Sequence, residues 1–258
     1  MITFLVSDTS SDFTTYIVPP LILDPNKRYE AALLSIDMYN SIPNVTEENN
    51  QLQYSLDDGA TWKTIKLPIG SYELGNINEE IQRQMVEKGD YDKEKEQFYL
   101  NVTGNISTLK SIVEITKDKF KVNLGNLGST LGFPPNQILK QGYHESPNIV
   151  DIMKINSILV KVDIICGSYV GKSQSPAIYS FYPNVPPGRK IVERPNPSLI
   201  YYPVNTRSIE SIRLWLTDQD NKPVDIRGER VTVRIALREV LNINREIIEA
   251  LQQYFHSR

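Results

Sequence analysis

Apolar and polar residues alternate with a period of two in several stretches of this chain, and each stretch reads as a strand with one buried face. Val231, Val233, Ile235 and Leu237 alternate with Thr232, Arg234, Ala236 and Arg238. Ile212, Leu214 and Leu216 alternate with Arg213, Trp215 and Thr217. Between them Asp218-Gln219-Asp220-Asn221-Lys222-Pro223 is turn-rich, which predicts strand–loop–strand. From Ser157 to Ile165, Val160, Val162 and Ile164 face one way, with Lys161 and Asp163 on the other side. From Tyr29 to Met38 both faces are largely apolar: Ala31, Leu33, Ser35 and Asp37 on one, Ala32, Leu34, Ile36 and Met38 on the other. That pattern predicts a strand covered on both sides.

The texture changes between 44 and 142. Leu52–Leu56 and Trp62–Leu67 read as the arms of a hairpin turning at Asp57-Asp58-Gly59. Ile77, Ile81 and Met85 are spaced by four, the stripe of a helix that Asn76 or Asn78 can cap. Lys88–Glu96 is a charged connection, and Phe98–Val102 and Ile112–Val122 predict further strands. Gly125, Gly128 and Gly132 spread through a loop ending at Phe133-Pro134-Pro135.

Beyond Gly167 the chain is rich in proline and tyrosine. Proline cannot donate to a strand ladder, so the short strands expected around Ala177–Tyr182 and Leu199–Tyr202 belong at sheet edges. The last segment returns to helical spacing, with Ile243, Ile247, Leu251 and Tyr254 in register and Asn242 or Asn244 as cap. Residues 1–43 offer about two strands and 143–240 about five or six, close to the eight of a jelly roll. The expected fold is therefore mainly β. Residues 1–43 and 143–241 form a single jelly-roll β-sandwich, 44–142 an inserted small α+β region, and 242–258 a C-terminal helical tail.

Composition narrows the function. The formal charge is -3 across 258 residues, without the basic excess of a general nucleic-acid binder. No apolar run approaches the ~20 residues of a membrane-spanning helix. The opening MITFLVSDTSSDF does not read as a signal peptide, so the chain is expected to be made in a reducing compartment rather than secreted. The single cysteine, Cys166, lies in an apolar run and reads as a buried, inert thiol.

The chemistry of an enzyme is hard to assemble from these residues. One cysteine and two distant histidines, His144 and His256, cannot make a zinc set or a cupin metal cluster. His144 sits between Tyr143 and Glu145-Ser146, but neighbours in an extended chain point to opposite faces and do not form a relay. Gly167-Ser168-Tyr169-Val170-Gly171-Lys172-Ser173 ends like a phosphate loop, yet it has three residues between the glycines where four are required. Pro176 also breaks the helix such a loop must open, so a hairpin is expected there. Asp57-Asp58-Gly59 and Asp218-Gln219-Asp220-Asn221 lack calcium-loop spacing and read as turns. No catalytic residue, cofactor or metal ligand is expected.

Five strings, in order, resemble the penton (vertex) capsid proteins of Maverick/Polinton and adintovirus-like double-stranded DNA viruses. They are Leu23-Asp24-Pro25-Asn26-Lys27 with Tyr29-Glu30-Ala31-Ala32-Leu33; Asn40-Ser41-Ile42-Pro43-Asn44; Pro68-Ile69-Gly70-Ser71-Tyr72-Glu73; Tyr179-Ser180-Phe181-Tyr182-Pro183-Asn184-Val185-Pro186-Pro187-Gly188; and Asp225-Ile226-Arg227-Gly228-Glu229 followed by Val231-Thr232-Val233-Arg234. The resemblance implies a structural virion protein: a single jelly roll, five copies of which form a homopentamer at an icosahedral fivefold vertex. Its neighbours would be capsomers of a double-jelly-roll major capsid protein, with no specific nucleic acid and no membrane span. The inserted region could meet a receptor or a fibre. The location implied is the virion, after synthesis in the host cytoplasm or nucleus.

Ring closure needs one surface to meet a different surface of the next copy. Rigid Pro- and Tyr-rich segments supply such contact area with little entropy to lose. The candidate subunit-interface residues are accordingly Tyr179, Phe181, Tyr182, Arg189, Tyr201, Tyr202 and Arg227. Covering loops over one end of the sandwich explain the same segment, and a solvated turn explains Arg227. Jelly rolls also serve as lectins, so a carbohydrate- or receptor-binding module, or a fibre-anchoring protein, is the alternative.

Overall fold

A computed structural model describes residues 1–95, 97–152, 154–195 and 199–240. The chain opens with β1 (Ile2–Asp8), β2 (Asp12–Ile22) and β3 (Tyr29–Tyr39). Next come β4 (Gln51–Ser55), β5 (Lys63–Lys66), α1 (Leu74–Glu87), β6 (Leu100–Asn105) and β7 (Lys110–Ile115). Then follow β8 (Lys121–Asn123), α2 (Leu127–Thr130), β9 (Ile138–Lys140), β10 (Gly142–Glu145) and β11 (Ile158–Val162). The short strands β12 (Tyr169–Val170) and β13 (Ser173–Gln174) precede β14 (Ala177–Phe181), β15 (Lys190–Glu193) and β16 (Tyr202–Pro203). The long strands β17 (Ser208–Thr217) and β18 (Val231–Glu239) complete the described chain. It divides into two compact units, residues 1–40 with those from 157 onward, and Ser41–Asn156.

The first unit is built on two antiparallel sheets, one of five strands with the path β1-β18-β3-β15 and β16 also paired with β3, the other of four strands ordered β14-β11-β17-β2. Numbered among themselves, with the two-residue strands β12, β13 and β16 left out, the eight main strands run 1-8-3-6 in one sheet and 2-7-4-5 in the other. That is the jelly-roll order, two Greek keys folded over each other. Alternation explains why these segments form it. Phe4 and Val6 of β1, and Val231, Val233, Ile235 and Leu237 of β18, are all buried, as are Ile212, Leu214 and Leu216 of β17 and Ile158, Val160 and Val162 of β11. Each strand presents its apolar set to the same side, and stacking the two sheets removes both sets from water.

The strand β3 departs from the simple alternation. Arg234 pairs with Ser35 but Ile235 pairs with Leu33, so Leu34 is an extra residue in the ladder. This bulge flips the facing halfway along the strand. Ala31 and Leu33 before it, and Ile36 and Met38 after it, all become buried. The inward set is therefore not the one strict period-two counting predicts.

The second unit carries a three-stranded sheet, β10-β7-β6, a four-stranded sheet, β5-β4-β8-β9, and α1. Ile77, Ile81 and Met85 of α1 are fully buried, as their spacing predicts. The helix begins earlier than either asparagine suggests: Glu73 is the N-cap, and its N–H donates to Asn76 Oδ1 at 3.2 Å. Asn78 is used differently, its Oδ1 accepting the Val102 N–H of β6 at 2.7 Å. Asp58 and Gly59 both have positive φ, 60° and 97°, as a tight hairpin turn between β4 and β5 demands. The run Ile112–Val122, expected as one strand, is split between β7 and β8, which belong to different sheets; Lys119 at φ 61° turns the chain between them.

Residues 143–156, grouped by the sequence with the sandwich, belong with this second unit. Tyr143 and His144 of β10 pair with Glu114 and Val113 of β7. The N–H groups of Asn148, Val150 and Asp151 donate to the carbonyls of Gly132, Leu109 and Thr130. These backbone bonds, invisible in composition, set the boundary. The predicted tail helix, 242–258, lies outside the described residues.

Candidate functional site

The residues with chemical potential are each engaged in local structure. His144 Nε2 lies 2.7 Å from the Lys140 carbonyl. Cys166 is half-buried, with Sγ 3.7 Å from the Pro203 carbonyl. The phosphate-loop look-alike is the β12–β13 hairpin, with Tyr169 opposite Gln174 and Val170 opposite Ser173. Gly171 takes φ 59° at its tip. The Asp218 carboxylate accepts the N–H groups of Asp220 and Lys222, so that acidic loop is a turn closed on itself. Hydroxyls of Ser55 and Thr61, with the Thr61 N–H, hold the Asp57 carboxyl at about 2. Among the described residues no cluster of three or more His, Cys, Asp and Glu side chains could hold a metal ion. No helix among them is long and apolar enough to cross a membrane.

An open cleft of about 490 Å³ in the second unit is lined by Asp58, Asp118, Lys119, Phe120, Lys121, Lys140 and Gln141. Lys121 Nζ is 2.8 Å from Asp58 Oδ1. Three of the seven lining residues are lysines.

The proposed interface residues divide into three groups. Tyr179, Phe181 and Tyr182 lie on or just after β14, the edge strand of its sheet. Phe181 faces inward opposite Ile158 and is 6% exposed, so it is a core residue. Tyr179 is half-buried with its ring stacked 6.5 Å from that of Phe181, and burial raises its hydroxyl pKa. Tyr182, one position on, is 61% exposed. Arg189 is exposed and leads into β15, the edge strand of the other sheet.

The connection between these two edge strands is held by Asn40. Its Nδ2 donates to the Val185 carbonyl at 2.7 Å, its N–H to the Arg189 carbonyl at 2.8 Å, and its own carbonyl accepts the Gly188 N–H at 2.8 Å. Thus Tyr179, Tyr182 and Arg189 share one lateral edge of the sandwich, while the intervening loop is fixed to the end of β3.

Tyr201 and Tyr202 sit further along. β15 and β16 pair the same side of β3, near its opposite ends, with Tyr202 facing Ala31. The Arg238 guanidinium lies 3.4 Å from the centre of the Tyr201 ring and also donates to Glu30 Oε2 at 2.9 Å. Tyr201 is thereby committed to an intramolecular stack. Arg227 is brought to none of these: it is an exposed turn residue at φ 53°, its N–H bonded to Asp225 Oδ1 at 2.8 Å. The segment 177–202 is also less loop-like than its prolines suggest, because Ile178 and Ile191 anchor two strands of the jelly roll in the core.

Sequence reasoning missed three strongly exposed apolar positions of this unit, Tyr16 at 78%, Val18 at 88% and Ile22 at 71%. All three are on β2, the edge strand at the other end of the β14 sheet. The available signal was Tyr16-Ile17-Val18-Pro19-Pro20-Leu21-Ile22, an apolar run whose paired prolines bar it from a central strand.

Lys161 also differs from expectation. Its position opposite Trp215 points away from the inter-sheet core, yet it is only 4% exposed. The turn after β17 folds back, with Thr217 bridged to Pro223, and Lys161 Nζ donates to Asn221 Oδ1. Burial lowers the Lys161 pKa from 10.5, against the pull of nearby Asp218. The unfolded chain therefore binds the proton more tightly than the folded one. Stability should rise with pH as Lys161 loses its proton in the folded state, levelling off once pH passes 10.5. Chemical denaturation across this range should show that rise in the wild type and a flatter profile in Lys161→Met; identical profiles would contradict the assignment.

No family model and no curated protein matches the chain. Among solved structures, the chain is similar in fold to the mavirus penton protein, a selenomethionine-labelled crystal structure, at 10% sequence identity and a TM-score of 0.47, with 93% of this chain and 99% of that chain covered.

Proposed function

We propose that this chain is a non-catalytic structural protein of a virus capsid: a penton capsomer, five copies of which close into a ring at an icosahedral fivefold vertex. Double-jelly-roll major capsid subunits surround the ring, and the chain's place is the virion. The observation that carries this reading is the complete jelly-roll strand order, an architecture common in capsid proteins. The strings that resemble penton proteins fall on its parts. Tyr29–Leu33 begins β3, Tyr179–Gly188 runs from β14 toward β15, and Asp225–Glu229 leads into β18. The side chains that look reactive in the sequence are spent on turns, a hairpin and backbone carbonyls, which supports a role in contact rather than chemistry.

Electron microscopy of the purified chain tests the ring. Class averages with five lobes are expected; averages showing only single particles or threefold rings would contradict it.

A further inference from the structure

From the placement of exposed apolar side chains on the sandwich, we infer that copies of this chain join head to tail, the β1/β2 edge of one against the β14/β15 edge of the next. The inference rests on the ring assembly proposed above and names the surfaces that build it.

The strand order puts β1 and β2 at one lateral end of their sheets and β15 and β14 at the other. A jelly-roll unit thus has two different edges facing opposite ways, the arrangement a closed heterologous ring requires. Both edges are apolar where a monomer has no use for it. On the first, Leu5 is 62% exposed, Tyr16 78%, Val18 88% and Ile22 71%. On the second, Tyr182 is 61% exposed, Val192 45% and Tyr39 44%.

The ladder around Val18 explains the first patch. Ser211 pairs with Tyr16 and Ile209 with Leu21, so residues 17–20 of β2 face Glu210 alone and bow out of the sheet. Pro19 and Pro20 in that bow cannot donate to an added strand, so contact there is made by side chains.

Charge selects a second copy as the occupant. Glu210 and Asp24, both exposed beside the first patch, have no ion-pair partner among the described residues, and neither do the exposed Arg189 and Arg194 that flank β15 on the second. Along the β2 part of the first edge Arg207 is spent on the carbonyls of Asp24 and Pro25, and Arg213 on Asp12; along the β1 part Arg230 donates to Ser7 Oγ, and the exposed Arg234 lies opposite Leu5. The carboxylates bordering the β2 part of one edge and the guanidinium groups bordering β15 on the other are complementary across a head-to-tail contact.

The test uses the full chain with Val18→Asp on one edge and Val192→Asp on the other, circular dichroism confirming the fold of each. Native mass spectrometry should find each variant alone at the 29.5 kDa of a single chain. Mixed, the two variants retain one intact pair of edges between them, so the mixture should give a species of twice that mass and nothing larger. Variants that assemble like the wild type, or a mixture that stays at one-chain mass, would overturn this interface while leaving the ring itself standing. A wild-type chain that never exceeds 29.5 kDa would overturn the ring and the interface together.

Discussion

Leu214→Ala should lower the unfolding free energy of the jelly-roll unit by about 2–5 kcal/mol. Leu214 is fully buried at the middle of β17, with Val162 of β11 and Phe13 of β2 as its ladder partners. Truncation removes the transfer free energy of the lost methyl and methylene groups. It also leaves a cavity between two sheets whose ladders resist collapse. In a unit of this size the loss corresponds to a fall in melting temperature of roughly 6–15 °C. The neighbouring Arg213→Ala serves as the control: it removes an exposed pair with Asp12 at 2.7 Å, and such pairs contribute about 0–1 kcal/mol. Thermal denaturation of both variants decides the matter. Equal effects would mean that the sandwich interior is not where β17 is anchored.

Asp90→Ala should destabilise the second unit by about 2–3 kcal/mol, and Tyr54→Phe by only about 1 kcal/mol. The asymmetry comes from what each change leaves behind. Tyr54 is fully buried, its ring stacked 5.6 Å from that of Phe120, and its hydroxyl donates to Asp90 Oδ2 at 2.5 Å. Lys63 Nζ donates to both oxygens of the same carboxylate, at 2.9 and 2.6 Å. Removing Asp90 strands a buried hydroxyl and releases Lys63, whereas removing the hydroxyl leaves the carboxylate paired.

The linkage to pH follows from the directions of shift. Burial raises the Asp90 pKa, but the bonds from Lys63 and Tyr54 outweigh it and hold the group below 3.8. The Tyr54 hydroxyl is pushed well up from 10.0, first by burial and then by Asp90. A carboxylate lowered on folding stabilises above its unfolded pKa and loses that contribution as pH falls through the folded one. Urea titrations of the wild type and Asp90→Ala should therefore converge as pH drops below 3.8.

Much of this architecture is legible in the sequence because burial on one face leaves a period of two. β17 and β18 follow directly from Ile212–Leu216 and Val231–Leu237. Where local and long-range forces diverge, legibility ends. The bulge at Leu34 is set by how β18 aligns with β3, and nothing in the string Ala31-Ala32-Leu33-Leu34-Ser35 announces it. The break at Lys117-Asp118-Lys119 depends on which sheet each arm can reach. β15 was hidden in a proline-rich stretch because a four-residue edge strand needs only Ile191 inward.

The candidate interface shows the same division. Residue type alone draws Phe181 and Tyr182 together, but strand parity sends one into the core and the other to the surface. Tyr201 looked free until the fold brought Arg238 over its ring. Tyr16 and Val18 were overlooked because an apolar run reads as buried until the sheet order makes β2 an edge.

The native mass of the unmodified chain tests the account at its centre. Five times 29.5 kDa is the value expected for a vertex ring. A stable trimer, or a single chain at every concentration, would contradict it.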